Sequence, residues 1–192
     1  NAPHPIITNA GAVDRPVLRM SDVATSGAVP LKMVKAMLNP SATPLLTSKV
    51  VASLAALGIG AMSLSLDGPT PTRHDALRGV AGTFDRTMRA GRDIVEAGIS
   101  LQVNTLVTAD TLGDLPAIHR VVEYLGAERW SLFFLITTGR GQTLRQIAPA
   151  QADAVMNWAL DFGRSRPLVT TTEAPHYRRI ELMRRTASPA AS

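Results

Sequence analysis

Cysteine is absent from the chain. That excludes disulfides, Cys-ligated zinc, a thiol nucleophile and a thiolate-held iron–sulfur cluster on these residues. Aromatic residues are scarce at 4%, so Leu, Val, Ile, Ala and Met have to fill the core, and with 45% hydrophobic against 18% charged residues there is enough apolar surface for most of the 192 positions to fold. No run of about 18 apolar residues occurs. The first residues lack a basic stretch followed by an apolar one, so neither a membrane span nor a signal peptide is expected, and the cytoplasm is the default compartment. No histidine pair has a ligand spacing such as HExxH; His74 and His119 read as cap or surface histidines, and no metal site is expected.

Lysine is also rare, since Arg supplies 17 of the 20 basic residues, and the net charge is +5. Such a balance suits an anionic partner. The arginines are interspersed with acids at i,i+4, as in Asp85, Arg89, Asp93 and in Arg92, Glu96, which reads as a solvated, paired helix face. Nucleic acid is therefore not an expected partner.

Residues 1–38 hold scattered Pro, Gly, Asn and Ser without a sustained period and read as irregular, with a short helix over Leu31 to Leu38 as one option. "NPSATPLLT" (Asn39 to Thr47) is turn chemistry leading into the helical "SKVVASLAALG", which Gly58 can stop. From there strands and helices alternate. "AMSLSL" (Ala61 to Leu66), "LQVNTLVT" (Leu101 to Thr108), "RWSLFFLI" (Arg129 to Ile136) and "PLVTT" (Pro167 to Thr171) read as strands apolar on both faces. The helices between them are "FDRTMRAGRDIVEAG", with Phe84, Met88, Gly91 and Val95 on one face, "DLPAIHRVVEYLG", with Asp114 as N-cap, and "PAQADAVMNWALDFG", with Pro149 in its first turn. "HYRRIELMRR" follows as a basic helix, and residues 186–192 as a disordered tail. The pattern predicts an α/β fold with a parallel sheet, a partial (β/α) barrel of about three to four βα units over residues 39–185.

Parallel crossovers place ligand sites at the carboxyl ends of the strands. At the first of these, Ser65 and Asp67 suit hydroxyls such as a ribose diol, and Arg78 suits a carboxylate gripped by both its nitrogens. The same residues also read as an Asp-Gly turn and a helix start in which Arg78 pairs with Asp75. Asn104 and Thr105, inside an apolar strand, imply either a ligand contact or an internal hydrogen bond. "TTGRG" (Thr137 to Gly141) resembles an anion-binding nest to which Arg140 adds charge, or else a plain loop. "TTEAPHYRR" gathers Glu173, His176, Tyr177, Arg178 and Arg179 after a strand, which is either a site for an acidic substrate with His176 or Glu173 as acid or base, or a polar helix start.

Taken together, "PSATPLLT", "SLSLDGP", "HDALRGVAGTFDRT", "LQVNTLVT", "LGDLPAI", "LGAERWSLFFL", "TTGRGQ" and "TTEAPHYRR" resemble the radical S-adenosylmethionine enzymes, in the branch that includes the haem-biosynthesis proteins. The likeness runs from about Asn39 to Arg185. It implies a barrel of six βα units in the family, of which this chain carries the later half. It further implies that Ser65 and Asp67 face the ribose of S-adenosylmethionine, that Arg78 holds its carboxylate and that Asn104 lies near the cofactor. Arg140, Glu173, His176, Tyr177 and Arg178 would lie towards a substrate that is porphyrin-like or a peptide. The family chemistry is reductive cleavage of the sulfonium by a 4Fe-4S cluster, giving a radical that abstracts hydrogen. The chain departs from the family in having no CxxxCxxC segment, no Gly-Gly-Glu/Asp-Pro segment, no cysteines for an auxiliary cluster, "PLKMVKAML" where a strand is usual, and Thr111 where Asn is common. No residue is assigned as catalytic, and these residues on their own are expected to be inactive, with self-association through an open barrel edge. Two alternatives remain: a non-catalytic nucleotide- or partner-binding remnant, and an unrelated α/β-barrel enzyme with a phosphate loop at Thr137 to Gly141.

Overall fold

A computed structural model of the chain describes residues 36–137, 139–162, 166–172 and 176–187. The expected irregular segment lies outside these residues up to position 35, as do Glu173 and the tail beyond residue 187.

Five strands form one parallel sheet: β1 (Met37–Leu38), β2 (Ala61–Ser65), β3 (Ser100–Val107), β4 (Arg129–Phe134) and β5 (Leu168–Thr172). They lie in the order β1-β2-β3-β4-β5, with every neighbouring pair parallel. A doubly wound sheet reverses its strand order at a switch point, whereas this order runs straight through, as in a barrel wall. The α/β partial-barrel expectation therefore holds. The unit count does not: five strands are followed by helices where three to four were expected, because Met37 and Leu38 pair with Ala61 and Met62 as a strand rather than closing a helix. A two-residue strand among turn residues has no periodicity to reveal it.

The helices are α1 (Ser48–Ala56), α2 (Pro71–Arg78), α3 (Thr83–Glu96), α4 (Leu115–Tyr124), α5 (Pro149–Asp161) and α6 (His176–Ala187). Helix α6 runs through residues 186 and 187, which had been expected in the tail. Thr47 and Thr70 cap α1 and α2 with their hydroxyls, accepting from the amides of Val50 and Arg73. Asp114 precedes α4 without capping it; its carboxylate is taken by Arg73 at 2.7 Å. In α3 the buried residues are Thr87, Ala90, Gly91 and Ile94, so the face is rotated from the expected one and Val95 is exposed. Asp85, Arg89, Arg92 and Glu96 form an outer face with no ion pair among them, and Asp93 accepts the Ser48 hydroxyl at 2.9 Å.

The two faces of the sheet differ, which corrects the expectation of strands apolar on both. Met62, Leu64, Leu101, Val103, Trp130, Leu132 and Val169 point to one side, where they build the core with Val51, Ile94, Ile118 and Val122 of the helices. The register places Ser63, Ser65, Gln102, Asn104, Ser131 and Thr170 together on the other side. Strand β3 shows this as strict alternation of half-buried and buried residues. Thr105 belongs to the core side, and its hydroxyl donates to the Leu66 carbonyl at 2.6 Å while accepting the Trp130 indole N–H at 2.8 Å. Thr105 thus makes the internal hydrogen bond of its two readings, and it also borders a cavity at the strand ends.

Candidate functional site

The carboxyl end of β2 is set by packing. Gly68 carries no side chain because α2 presses on it: an added Cβ would lie 2.5 Å from the His74 amide nitrogen and 2.7 Å from the Arg73 Cβ. That contact brings His74, 1% exposed, under the strand end, where its Nδ1 accepts the Asp67 N–H at 3.0 Å. An accepting Nδ1 places the proton of the neutral ring on Nε2. Burial lowers the His74 pKa below its ordinary value, outweighing the nearby Asp67 charge that acts to raise it. His74 and His119 are thus both buried rather than on the surface.

Asp67, 4% exposed, is gripped at both oxygens: Oδ2 lies 2.6 Å from Arg78 Nη2, and Oδ1 accepts the Leu106 N–H of β3 at 2.7 Å. Arg78 therefore pairs with Asp67, not with Asp75. The Asp75 carboxylate instead accepts from the Gly82 amide at 2.6 Å, the Thr83 hydroxyl at 2.6 Å and the Phe84 amide at 2.8 Å, fastening α2 to the start of α3. The Thr83 bond is the main reason that the Asp75 pKa lies below the ordinary carboxylate value.

Two cavities meet at this strand end. One, of about 300 Å³, is lined by Ser41, Thr43, Ser65, His74, Arg78, Thr83 and Arg86, among others. The other, of about 310 Å³, is lined by Ser65, Asp67, Arg78, Asn104, Phe133 and further residues of β3. Ser65 and Arg78 border both. Behind Asn104 the polar side of the sheet carries a chain of hydrogen bonds, Gln102 to Asn104 at 2.8 Å, Asn104 to Ser63 at 3.2 Å, and Ser63 to Asn39. Asn104 is thus internally bonded and cavity-lining at once.

The four residues expected near a cofactor, Ser65, Asp67, Arg78 and Asn104, line one cavity together. Of the residues expected on the substrate side, three do not join them, and Glu173 lies outside the described residues. His176, Tyr177 and Arg178 open α6 and line neither cavity; Tyr177 is half-buried, and burial raises its pKa. Arg140 lies in a 3₁₀ turn, Gly139–Thr143, where an added Cβ on Gly141 would meet the Ile136 carbonyl at 2.9 Å. Close packing accounts for that glycine. Sequence reasoning did not single out Asn39, Ser63 or Arg86. It also missed a clamp over the strand ends, in which Arg73 donates to the Asp110 carbonyl at 2.5 Å and Arg145 pairs with the Asp110 carboxylate. The Arg145 bond lowers the Asp110 pKa. Thr111 has a role in place: its hydroxyl donates to the Leu106 carbonyl at 2.7 Å and accepts the Thr108 N–H at 2.9 Å, closing the turn after β3.

No protein-family model matches the chain. Among curated proteins, the AdoMet-dependent heme synthase of Nitratidesulfovibrio vulgaris is 38% identical over 152 residues, 78% of this chain and 41% of that protein. The AdoMet-dependent heme synthase of Oleidesulfovibrio alaskensis is 36% identical over 150 residues, 77% of this chain and 38% of its own length. The chain is related to the radical SAM enzymes of the AdoMet-dependent heme synthase branch. It spans about two fifths of the length of the curated relatives it matches. The fold agrees: the Streptococcus suis SuiB structure bound to precursor peptide SuiA superposes with a TM-score of 0.60 at 14% identity, covering 78% of this chain and 34% of that one. The structure of anSMEcpe with bound AdoMet and a peptide gives 0.55 at 15% identity, covering 70% and 40%. This kinship removes the alternative of an unrelated barrel enzyme.

The family uses S-adenosylmethionine and a 4Fe-4S cluster. The residues present fit the first and not the second. Cavities of nucleoside size with hydroxyl, amide and guanidinium donors suit an adenosyl group and a carboxylate. No cysteine exists to ligate a cluster, and among the described residues no group of three His, Cys, Asp or Glu is placed to hold a metal. No helix of the described residues is long and apolar enough to cross a membrane.

Proposed function

We propose that this chain forms the S-adenosylmethionine-binding wall of a radical SAM barrel and performs no radical chemistry with these residues alone. The observation that supports the reading best is the pair of cavities meeting at Ser65 and Arg78 at the carboxyl end of β2. Ser65 and Asn104 offer hydroxyl and amide groups to the ribose. Arg78 borders both cavities, held by Asp67, whose own oxygens already have partners, so that Asp67 acts on the cofactor by orienting Arg78. The cofactor would supply a sulfonium whose alkyl bond can be cleaved reductively. The whole protein's substrate is proposed to be a porphyrin bearing carboxylates, because three relatives named heme synthase match over 137 to 152 residues at 34–38% identity, against 84 residues at 34% for the PqqA peptide cyclase. Arg140, Glu173, His176, Tyr177 and Arg178 are the groups proposed to face it.

The test is equilibrium binding of S-adenosylhomocysteine and 5′-methylthioadenosine to the 192-residue chain by calorimetry. Saturable binding is expected, and Ser65→Trp, which fills the point common to both cavities, is expected to abolish it. Absence of saturable binding up to millimolar ligand overturns the reading. In a parallel anaerobic reconstitution with iron and sulfide the chain is expected to stay colourless, for want of thiolates.

A further inference from the structure

We infer that the Arg145–Asp110 pair is a latch that holds residues 141–147 closed over the cavity beside β3, so that a ligand enters and leaves that cavity when the latch opens. The inference adds a means of regulation to the S-adenosylmethionine reading and rests on it.

The lining of the cavity shows where it can open. Among the described residues, all but one of those lining it come from β2 and its strand end, from α2, or from β3 and β4. The exception is Leu144, half-buried in the connection after β4. That connection is pinned at two points. Gly141 packs under the Ile136 carbonyl, and Ile147 is 8% exposed in the core. Between them residues 142–146 are exposed apart from Leu144, and backbone with so few buried contacts opens at low cost. Its ties to the turn after β3 found among the described residues both run through Arg145. The Ala109 amide donates to the Arg145 carbonyl at 2.8 Å, and the Arg145 guanidinium donates to the Asp110 carboxylate. A third bond, from Gln146 Nε2 to the Leu135 carbonyl at 3.1 Å, stays within the connection after β4 and does not reach β3. Asp110 is a fixed anchor, because Arg73 of α2 donates to its carbonyl at 2.5 Å. Asp114, the other acid of this turn, is engaged by Arg73 at 2.7 Å. The Arg145 and Asp110 side chains are 73% and 47% exposed, so salt screens the pair and it adds little to the stability of the fold. That weakness suits a latch, which has to break at each passage of a ligand. Since the Arg145 bond lowers the Asp110 pKa, the carboxylate stays ionised through the neutral range, and salt rather than pH sets the strength of the pair.

The experiment reads the latch and the gate separately. Hydrogen exchange followed by NMR on the 192-residue chain reports the opening of the Ala109 N–H, which the Arg145 carbonyl covers. Line shapes in a titration with 5′-methylthioadenosine, an uncharged probe free of electrostatic steering, report the rates of entry and exit. Arg145→Gln is expected to speed exchange at Ala109 roughly two- to fivefold, the population shift that one exposed ion pair sustains. Entry and exit of the probe are expected to quicken by the same factor, with Kd kept within about twofold. Raising the salt from about 50 to about 500 mM is expected to do the same to the unmodified chain and little to the variant. Arg145→Lys, which keeps a charge and loses the fork, is expected to lie between the two. If Ala109 exchanges in Arg145→Gln at the rate of the unmodified chain, the pair is no latch, and the inference fails while the cofactor reading stands. If exchange quickens and the ligand rates do not, the stretch opens but gates nothing, and the inference fails in the same way. Absence of methylthioadenosine binding to the unmodified chain overturns the cofactor reading and the gate with it.

Discussion

Removing one partner of the Asp67–Arg78 pair should cost different amounts from the two ends. Arg78→Gln leaves Asp67, 4% exposed, as a carboxylate whose remaining hydrogen-bond partner among the described residues is the Leu106 N–H at 2.7 Å. Breaking a fully buried pair in this way costs about 3–5 kcal/mol. The Arg78 side chain is 39% exposed, so the pair already shares its field with water, and the cost is discounted to about 2–3 kcal/mol. For a domain of this size that is a fall of roughly 4–12 °C in Tm. Asp67→Asn keeps an acceptor for Leu106 and frees an arginine that can turn to solvent, so about 1–2 kcal/mol is expected. The double variant leaves no buried charge and should be less destabilised than the sum, with a coupling of about 1–2 kcal/mol. Urea unfolding of the four proteins without ligand measures all three numbers. If Arg78→Gln costs less than about 0.5 kcal/mol, or if the two changes simply add, the pair behaves as a surface ion pair and the account of Asp67 as the residue that orients Arg78 is wrong.

His119 stacks on Phe162 at 4.2 Å, lies beside Trp130 and Trp158, and its buried Nε2 has no hydrogen-bond partner among the described residues. Burial lowers its pKa, so the folded state resists a proton that the unfolded state accepts, and stability is expected to fall as pH drops below about 6.5, by at most about 1.4 kcal/mol per unit for this proton. His119→Phe should reduce the slope in urea melts between pH 7.5 and 5.5, leaving the part due to buried His74, and an unchanged slope refutes the assignment. Gly68→Ala forces a Cβ against α2 and is expected to lose about 1–3 kcal/mol in the same assay; a neutral effect would show that α2 can slide away. Strand β5 ends the sheet of the described residues and presents a row of unpaired backbone groups, so light scattering at micromolar concentration is expected to show self-associated species, and a clean monomer contradicts this.

Sequence periodicity reveals β2 to β5 and the helices between them because each strand is a short stretch with apolar or β-branched residues at alternate positions, bounded by turn residues, and Gly58 and Gly126, both at positive φ, close their helices as glycines do. It misplaces the buried face of α3, where Thr87 and Ala90 pack inward and Val95 does not, since composition alone does not say which neighbour presses on a helix. The cofactor-side residues Ser65, Asp67, Arg78 and Asn104 could be gathered from the rule that strand ends carry ligands. Their partners could not: that Arg78 chooses Asp67 over Asp75 depends on Asp75 being spent on the start of α3, a contact made across a turn. Arg86 does not stand out in the sequence because an arginine in the first turn of a helix, next to Asp85, looks like any solvated one.

The straight strand order has a consequence for how the chain is made. Met37 pairs with Ala61, 24 residues away, Ala61 with Ser100, 39 away, Gln102 with Arg129, 27 away, and Arg129 with Leu168, 39 away. No strand waits for a partner from the far end of the molecule, so the entropy of closing each loop is incurred in small, similar steps. Emerging from a ribosome, each new strand would find its template already in place beside it, and the sheet would grow from one side as synthesis proceeds, with the strand-end cavities complete once β3 and the turn after β4 have arrived.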